Sequence, residues 1–259
     1  MYGAIIGDIV GSRFEGNPHK SKVFELFTND CAPTDDSVLT VAVADAIMAD
    51  NDFEYYLRHW GVKYPYAGYG GTFIHWLANE IPAYNSYGNG SAMRVSPIGW
   101  AYHDLETTRK MARKSAEVTH NHPEGIKGAE SVASAIWMAR TGKSKSFIKN
   151  YIEKEFGYDL SRKVNDIRKT YKFDVTCQGS VPEAIICFLE SVSFEDAIRN
   201  AVSLGGDSDT QAAIAGSIAE AYYGIPHDLI RECNRYLPDD MREVVDDFYI
   251  YFIPRLRIG

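Results

Sequence analysis

Apolar residues recur at three- and four-residue intervals along most of the chain, and strictly alternating runs of five or more are scarce, so the pattern predicts an all-α fold. Segment 36–49 is apolar on nearly every side, as a helix at the centre of a domain would be. Segment 105–118 sets an apolar stripe against a charged face and reads as peripheral. Pro123 opens a further helix to about Arg140, with Gly142 ending it; Ser144 caps the next as far as Phe156, and Pro182 opens 182–191. The stretch 209–223 is rich in Ala and Gly, which lets a neighbouring helix approach closely, and Gly224 and Pro226 stop it. Residues 141–176 carry many Lys and Arg and read as a solvated helical pair without chemistry of its own.

At 259 residues the chain is long enough to bury a sizeable core. No repeat or low-complexity linker divides it, so it is read as a single compact multi-helix domain, 1–259. A formal charge of −8, from 27 Lys and Arg against 35 Asp and Glu, repels phosphate backbones and argues against general nucleic-acid binding. Residues Met1 to Asp8 lack the basic start of a signal peptide. The most apolar stretch, Val38 to Met48, is interrupted by Thr40 and Asp45 and falls short of the about 20 residues that cross a bilayer, so no membrane anchor is expected. Cys31, Cys177, Cys187 and Cys233 form no CxxC pair, which suits reduced thiols in a cytoplasm better than disulfides or a zinc site.

The unusual residues concentrate in Gly-, Asn- and Pro-rich loops at 11–33, 64–71, 84–91 and 203–208, and the long one at 14–33 is itself a functional flag. Thr34-Asp35-Asp36 stands at the entrance of the buried helix, where an irregular backbone can turn three oxygen-bearing side chains toward one point. Alone, these residues read first as N-caps. Gly205-Gly206-Asp207-Ser208-Asp209-Thr210 stands at the mouth of the small-residue helix and offers two carboxylates and a hydroxyl, the hard oxygen donors that Mg²⁺ or Mn²⁺ prefers. Four carboxylates from two helix starts would repel one another unless cations bridged them, so the pair of motifs points to a two-metal site.

Five blocks in order carry a resemblance: Gly3 to Glu15 with its central Gly7-Asp8, then Thr34-Asp35-Asp36, Gly88-Asn89-Gly90-Ser91 through Arg94 to Pro97, Thr119-His120-Asn121-His122-Pro123, and Gly205 to Thr210. Together they resemble the ADP-ribosylglycohydrolase family over nearly the whole chain. The resemblance implies an all-helical fold with two Mg²⁺ or Mn²⁺ ions in a central cleft that binds ADP-ribose. Thr34, Asp35, Asp36, Asp207, Asp209 and Thr210 would then be metal ligands, Asp209 able to bridge both ions, and Glu15 a mobile carboxylate near the metals and the scissile ribose. Catalysis would rest on Glu15, Asp36 and Asp209. Ser37 and Ser208 stand where the family usually has threonine, at positions outside the implied ligand set.

Gly88, Asn89, Gly90 and Ser91 offer flexible backbone and N–H groups at a helix start, which suits a pyrophosphate, although a plain turn would look the same. His120 and His122 are candidates to meet a nucleotide or orient a carboxylate, with His122 preferred; Arg94 is expected to pair with a carboxylate. The loop from Tyr66 to Gly71 lines the cleft or merely packs. The reading is a metal-dependent hydrolase that releases ADP-ribose from an ADP-ribosylated protein or small molecule. The alternatives are a non-catalytic ADP-ribose-binding or crystallin-like member, or another two-metal reaction such as phosphoester hydrolysis.

Overall fold

The computed structural model describes residues 1–253, and residues 254–259 of the expected domain lie outside them. Its helices are α1 (Tyr2–Ser12), α2 (Asp35–Met48), α3 (Phe53–Lys63), α4 (Gly71–Ala78), α5 (Gly90–Met93), α6 (Ser96–Ala101), α7 (Leu105–Glu117) and α8 (Pro123–Arg140). They continue as α9 (Lys145–Phe156), α10 (Val164–Thr170), α11 (Cys177–Glu190), α12 (Phe194–Val202), α13 (Ser208–Tyr223), α14 (His227–Cys233) and α15 (Asp239–Phe252). Among the described residues the strand-like structure is one antiparallel bridge, between Gly88 and Thr176. The fold is therefore all-α, as the periodicity predicts, and one continuous apolar core runs through it.

Local chemistry sets most boundaries. Ser144 accepts a hydrogen bond from the Phe147 amide at the start of α9, and Gly142 leaves α8 with φ at +80°. Pro182 does not open a helix, contrary to expectation; it lies inside α11, which begins at Cys177 because the Thr176 side chain caps it by accepting from the Gly179 amide. Sitting this near the helix start, its missing N–H leaves only a carbonyl of the first turn without its helical donor.

Two buried helices bring the polar residues together. α13 packs against α1, α8, α11 and α12, while α2 packs against α1, α3, α6 and α15. The seam between α1 and α13 is tight: a Cβ on Gly7 would lie 2.1 Å from the Ala212 carbonyl oxygen, and one on Gly11 would lie 2.5 Å from the Asp209 Cα. Gly3, Gly7 and Gly11 recur every four residues on one face of α1 and meet Ala212 and Gly216 of α13, the close approach that the small residues of 209–223 predict. Any side chain on this stripe would push apart the elements that carry Asp8 and Asp209.

Candidate active site

The starts of α2 and α13 converge on α1, and the side chains there form two overlapping groups. Asp8, Asp36 and Asp209 each bring a carboxylate oxygen within 4.8 Å of the others, and so do Glu15, Asp207 and Asp209. Asp209 belongs to both groups. Thr210 donates to Asp36 Oδ2 at 3.2 Å, whereas Asp36 Oδ1 is buried and meets no donor. Capping explains little of this arrangement. At α2, Thr34 does accept from the Asp36 amide at 3.3 Å, but at α13 the Asp207 side chain makes no cap bond. Its Oδ2 accepts instead from the Asn89 amide at 2.7 Å, and Asn89 also donates to Ser180.

Asp8 is the member of this cluster to which the sequence reading gave no role. It is the one charged residue of α1, buried on the face toward α2. Oδ1 accepts from the Thr34 hydroxyl at 2.7 Å, and Oδ2 accepts from the Thr34 and Ser37 amides at 2.9 and 3.0 Å and from the Ser37 hydroxyl. Four donors thus tie the α2 entrance to α1. A lone acid in an apolar helix was the available signal. Serine at position 37 supplies the same hydroxyl as threonine would.

These acids form one end of a cavity of about 350 Å³, a size suited to a small-molecule ligand. Glu15, Asp35, Asp36, Asp207, Asp209 and Thr210 line it, as do Gly71, Gly88, Asn89 and Gly90. Thr34 stands behind this surface, with its hydroxyl held by Asp8. Ser91 is fully buried, donates to the Gly125 carbonyl at 2.7 Å and does not line the cavity. The helix expected after it, α5, has only four residues, too few to develop a dipole. His122 also lies outside the cavity, where Nδ1 caps α8 by accepting from the Glu124 amide. His120, two residues earlier, faces the cavity in its place, since side chains two apart part company once one of them must cap a helix.

Other expectations fare unevenly. The loop from Tyr66 to Gly71 lines the cavity through Gly68, Gly70 and Gly71 and packs through Tyr69, buried against Phe73, while Tyr66 is 98% exposed and does neither. Arg94 meets no carboxylate; it donates to the Ser115 carbonyl and the Thr119 hydroxyl. Val175, from a segment read as free of chemistry, lines the cavity because its carbonyl accepts from the Asn89 amide and brings that strand of chain alongside.

Burial dominates the electrostatics. It pushes Asp36 and Asp209 well above the ordinary carboxylate range, with repulsion from Asp209 and Asp207 respectively as the next cause. Asp35 is pushed up to about 7, first by burial and then by Asp8, and Glu15 is raised by burial and then by Asp207. Asp8 is raised by burial against the opposing effect of its hydrogen bonds. A group of mutually repelling acids, one with an unpartnered buried oxygen, fits a divalent cation by charge and by donor type.

The chain matches the model of a family described as ADP-ribosylglycohydrolase over residues 1–256. It is 27% identical to the ADP-ribosylhydrolase ARH3 of Homo sapiens, across 93% of this chain and 90% of that protein. It is 23% identical to the ADP-ribosylarginine hydrolase Tri1 of Pseudomonas putida (strain GB-1), across 87% of this chain and 70% of that protein. A solved structure of an ADP-ribosylglycohydrolase-related protein complex superposes with a TM-score of 0.73 at 25% identity, covering 96% of this chain and 95% of that one. Among the described residues, no helix is long and apolar enough to cross a membrane.

Proposed function

The chain belongs to the ADP-ribosylglycohydrolase family, and on that premise we propose that it is a metal-dependent hydrolase that cleaves the glycosidic bond between C1″ of ADP-ribose and the side chain of an ADP-ribosylated protein, arginine or serine. The observation that carries this reading is the pair of carboxylate groups sharing Asp209 at one end of a ligand-sized cavity. Thr34, Asp35, Asp36, Asp207, Asp209 and Thr210 would hold two Mg²⁺ or Mn²⁺ ions. Such ions supply positive charge beside the ribose hydroxyls and lower the pKa of bound water.

The chain's own groups do the rest. Loss of the acceptor needs a proton on the leaving atom, because oxocarbenium character develops on the ribose as the bond breaks. Glu15 stands among the acids with its carboxyl pKa raised, so it is suited to carry that proton on an Oε oxygen and deliver it. Asn89 keeps Asp207 turned toward the site, and Asp8 keeps the Thr34 hydroxyl donating away from it, leaving that oxygen a free lone pair. Gly70 and Gly71 have nothing within 4 Å of where a Cβ would stand, so this wall leaves room for the sugar or its acceptor.

Peptides carrying ADP-ribosyl-arginine or ADP-ribosyl-serine, incubated with the protein and Mg²⁺ or Mn²⁺, test the reading. Free ADP-ribose is expected from at least one of them and should cease in EDTA. Binding of ADP-ribose with no release from either peptide would make the protein a non-catalytic binder instead.

The same acids make stability depend on pH and cation. Their folded pKa values lie above the unfolded ones, so the stability they permit is complete below about pH 4 and is lost as pH rises through the folded values, about 7 for Asp35. In EDTA the melting temperature should therefore fall between pH 5 and pH 8. Saturating Mg²⁺, binding only the folded state, should restore about 5–10 °C at pH 8 and less at pH 5. Identical melting curves at both pH values, with and without Mg²⁺, would remove the cation site from this reading.

A further inference from the structure

Arg94 is the one fully buried guanidinium in the cavity wall, and it hydrogen-bonds to no carboxylate, although the Asp35 charge across the cavity favours its charged form. Its Nη2 donates to the Ser115 carbonyl at 2.9 Å and to Thr119 Oγ1 at 3.0 Å, while Nε and Nη1 are buried without acceptors. An unpaired buried charge is costly, and such a group calls for a reason. The reason lies one bond further on, where Thr119 Oγ1 stands 2.7 Å from His120 Nδ1.

A guanidinium can only donate, so the Thr119 hydroxyl accepts from Arg94 and has its own proton to place. His120 Nδ1, 2.7 Å away, is the closer acceptor, ahead of the Tyr84 hydroxyl that also faces Thr119. A bare Nδ1 takes that proton, and the ring proton then sits on Nε2. That atom is on the cavity side: a Cβ on Gly90 would lie 3.1 Å from it and one on Gly88 would lie 3.6 Å away. Burial, followed by the Arg94 charge, holds His120 well below the ordinary imidazole range, so the ring is neutral.

We propose that Thr119, anchored by Arg94, is a positioning residue that locks His120 in its Nε2-protonated neutral form, so that the ring presents one fixed donor to an oxygen of the ligand beside the Gly88–Gly90 loop. The proposal rests on the ADP-ribose reading for the identity of that ligand, but not for the tautomer. A freely tautomerising ring would offer a donor only part of the time, and a charged ring would add a second cation beside an already unpaired guanidinium. The relay also explains the buried arginine. Of its two contacts, the Ser115 carbonyl fixes the guanidinium and the Thr119 hydroxyl is the one whose direction it dictates; an uncharged residue there would leave that hydroxyl free to accept from the ring instead.

Long-range ¹H–¹⁵N spectra of the full chain labelled at histidine read the tautomer directly. Wild type should show a bare Nδ1 and a protonated Nε2 on His120. Thr119→Val should populate the other tautomer and weaken metal-free ADP-ribose binding about tenfold, the loss of one well-placed donor, and Thr119→Ser should restore both. Arg94→Met should move the His120 titration up toward the ordinary range, which a packing role alone would not do. A protonated Nδ1 in wild type, or Thr119→Val with unchanged tautomer and affinity, overturns the relay. If wild type fails to bind ADP-ribose while the spectra show the expected tautomer, the ligand reading fails and the relay stands.

Discussion

Asp209→Asn is expected to lose at least about 10³-fold in turnover and yet to melt higher than wild type in EDTA at pH 8. The first effect follows from its place in both carboxylate groups. Several kcal/mol of transition-state charge stabilisation depend on a cation that it would hold, and each 1.4 kcal/mol is tenfold. The second follows from the repulsion. Asp209 is raised far above the usual carboxylate range by burial and by Asp207, so removing its charge relieves the metal-free protein. Asparagine keeps the Oδ1 acceptor that the Thr210 amide uses at 2.9 Å, so the helix start survives. Loss of activity with loss of stability would describe a structural acid, and the opposite signs separate the two. Turnover against the reactive ADP-ribosylated peptide and melting curves in EDTA measure them.

The stability gain also bears on why these acids escaped simple explanation from sequence. Both helices that carry these acids point their N-termini, the positive ends of their dipoles, at the cluster, which favours acids and opposes cations. Seen one motif at a time, Thr34-Asp35-Asp36 and Asp207-Ser208-Asp209 are therefore reasonable caps, and Thr34 does cap. The two motifs become a site only because Gly3, Gly7 and Gly11 allow α1 to seat against α13 and carry Asp8 into contact with the α2 entrance. The small residues of 209–223 showed that close packing was available but not which helix would take it.

Helix identity was legible wherever the periodicity was strong and a cap stood nearby, as at Pro123–Arg140 and after Ser144. Pro182 misled because a proline within the first turns of a helix looks, in sequence, like one at its first position. The choice between His120 and His122 was not legible. Both sit in one short motif, and the decision depends on the Glu124 amide, which claims His122, and on the Thr119 hydroxyl, which claims His120. Ser91 was read with Gly88–Gly90 for the N–H groups of a helix start, and its side chain is turned instead to the Gly125 carbonyl, 34 residues away. Such choices are made by tertiary neighbours and leave no trace in spacing.

The loop that carries Glu15 is flagged by its length, the family resemblance implies a mobile carboxylate there, and the structure shows what anchors it. Phe14 is buried and packs with His19 and Phe24, Lys20 donates to the Tyr171 carbonyl at 2.7 Å, and Arg199 holds the Lys22 and Phe24 carbonyls at 3.0 and 2.7 Å. Arg13 is engaged with the Glu25 carbonyl and the Phe14 ring, so the exposed Glu15 carboxyl is not paired with it. Anchored in this way, the loop holds the Glu15 carboxyl beside Asp207 and Asp209. Glu15→Gln should consequently lower turnover by about 10²–10⁴-fold, the worth of a positioned proton donor. ADP-ribose affinity by calorimetry should stay within a few-fold, because glutamine fills the same space and keeps the loop contacts, none of which uses the carboxyl. The alkaline limb of the pH–rate profile, where the donor loses its proton, should change as well, since the group with the raised pKa is gone. Single-turnover hydrolysis at the wild-type rate in Glu15→Gln would shift the proton to another carrier, and Asp35, lining the same cavity with its pKa near 7, is the next residue placed to hold it.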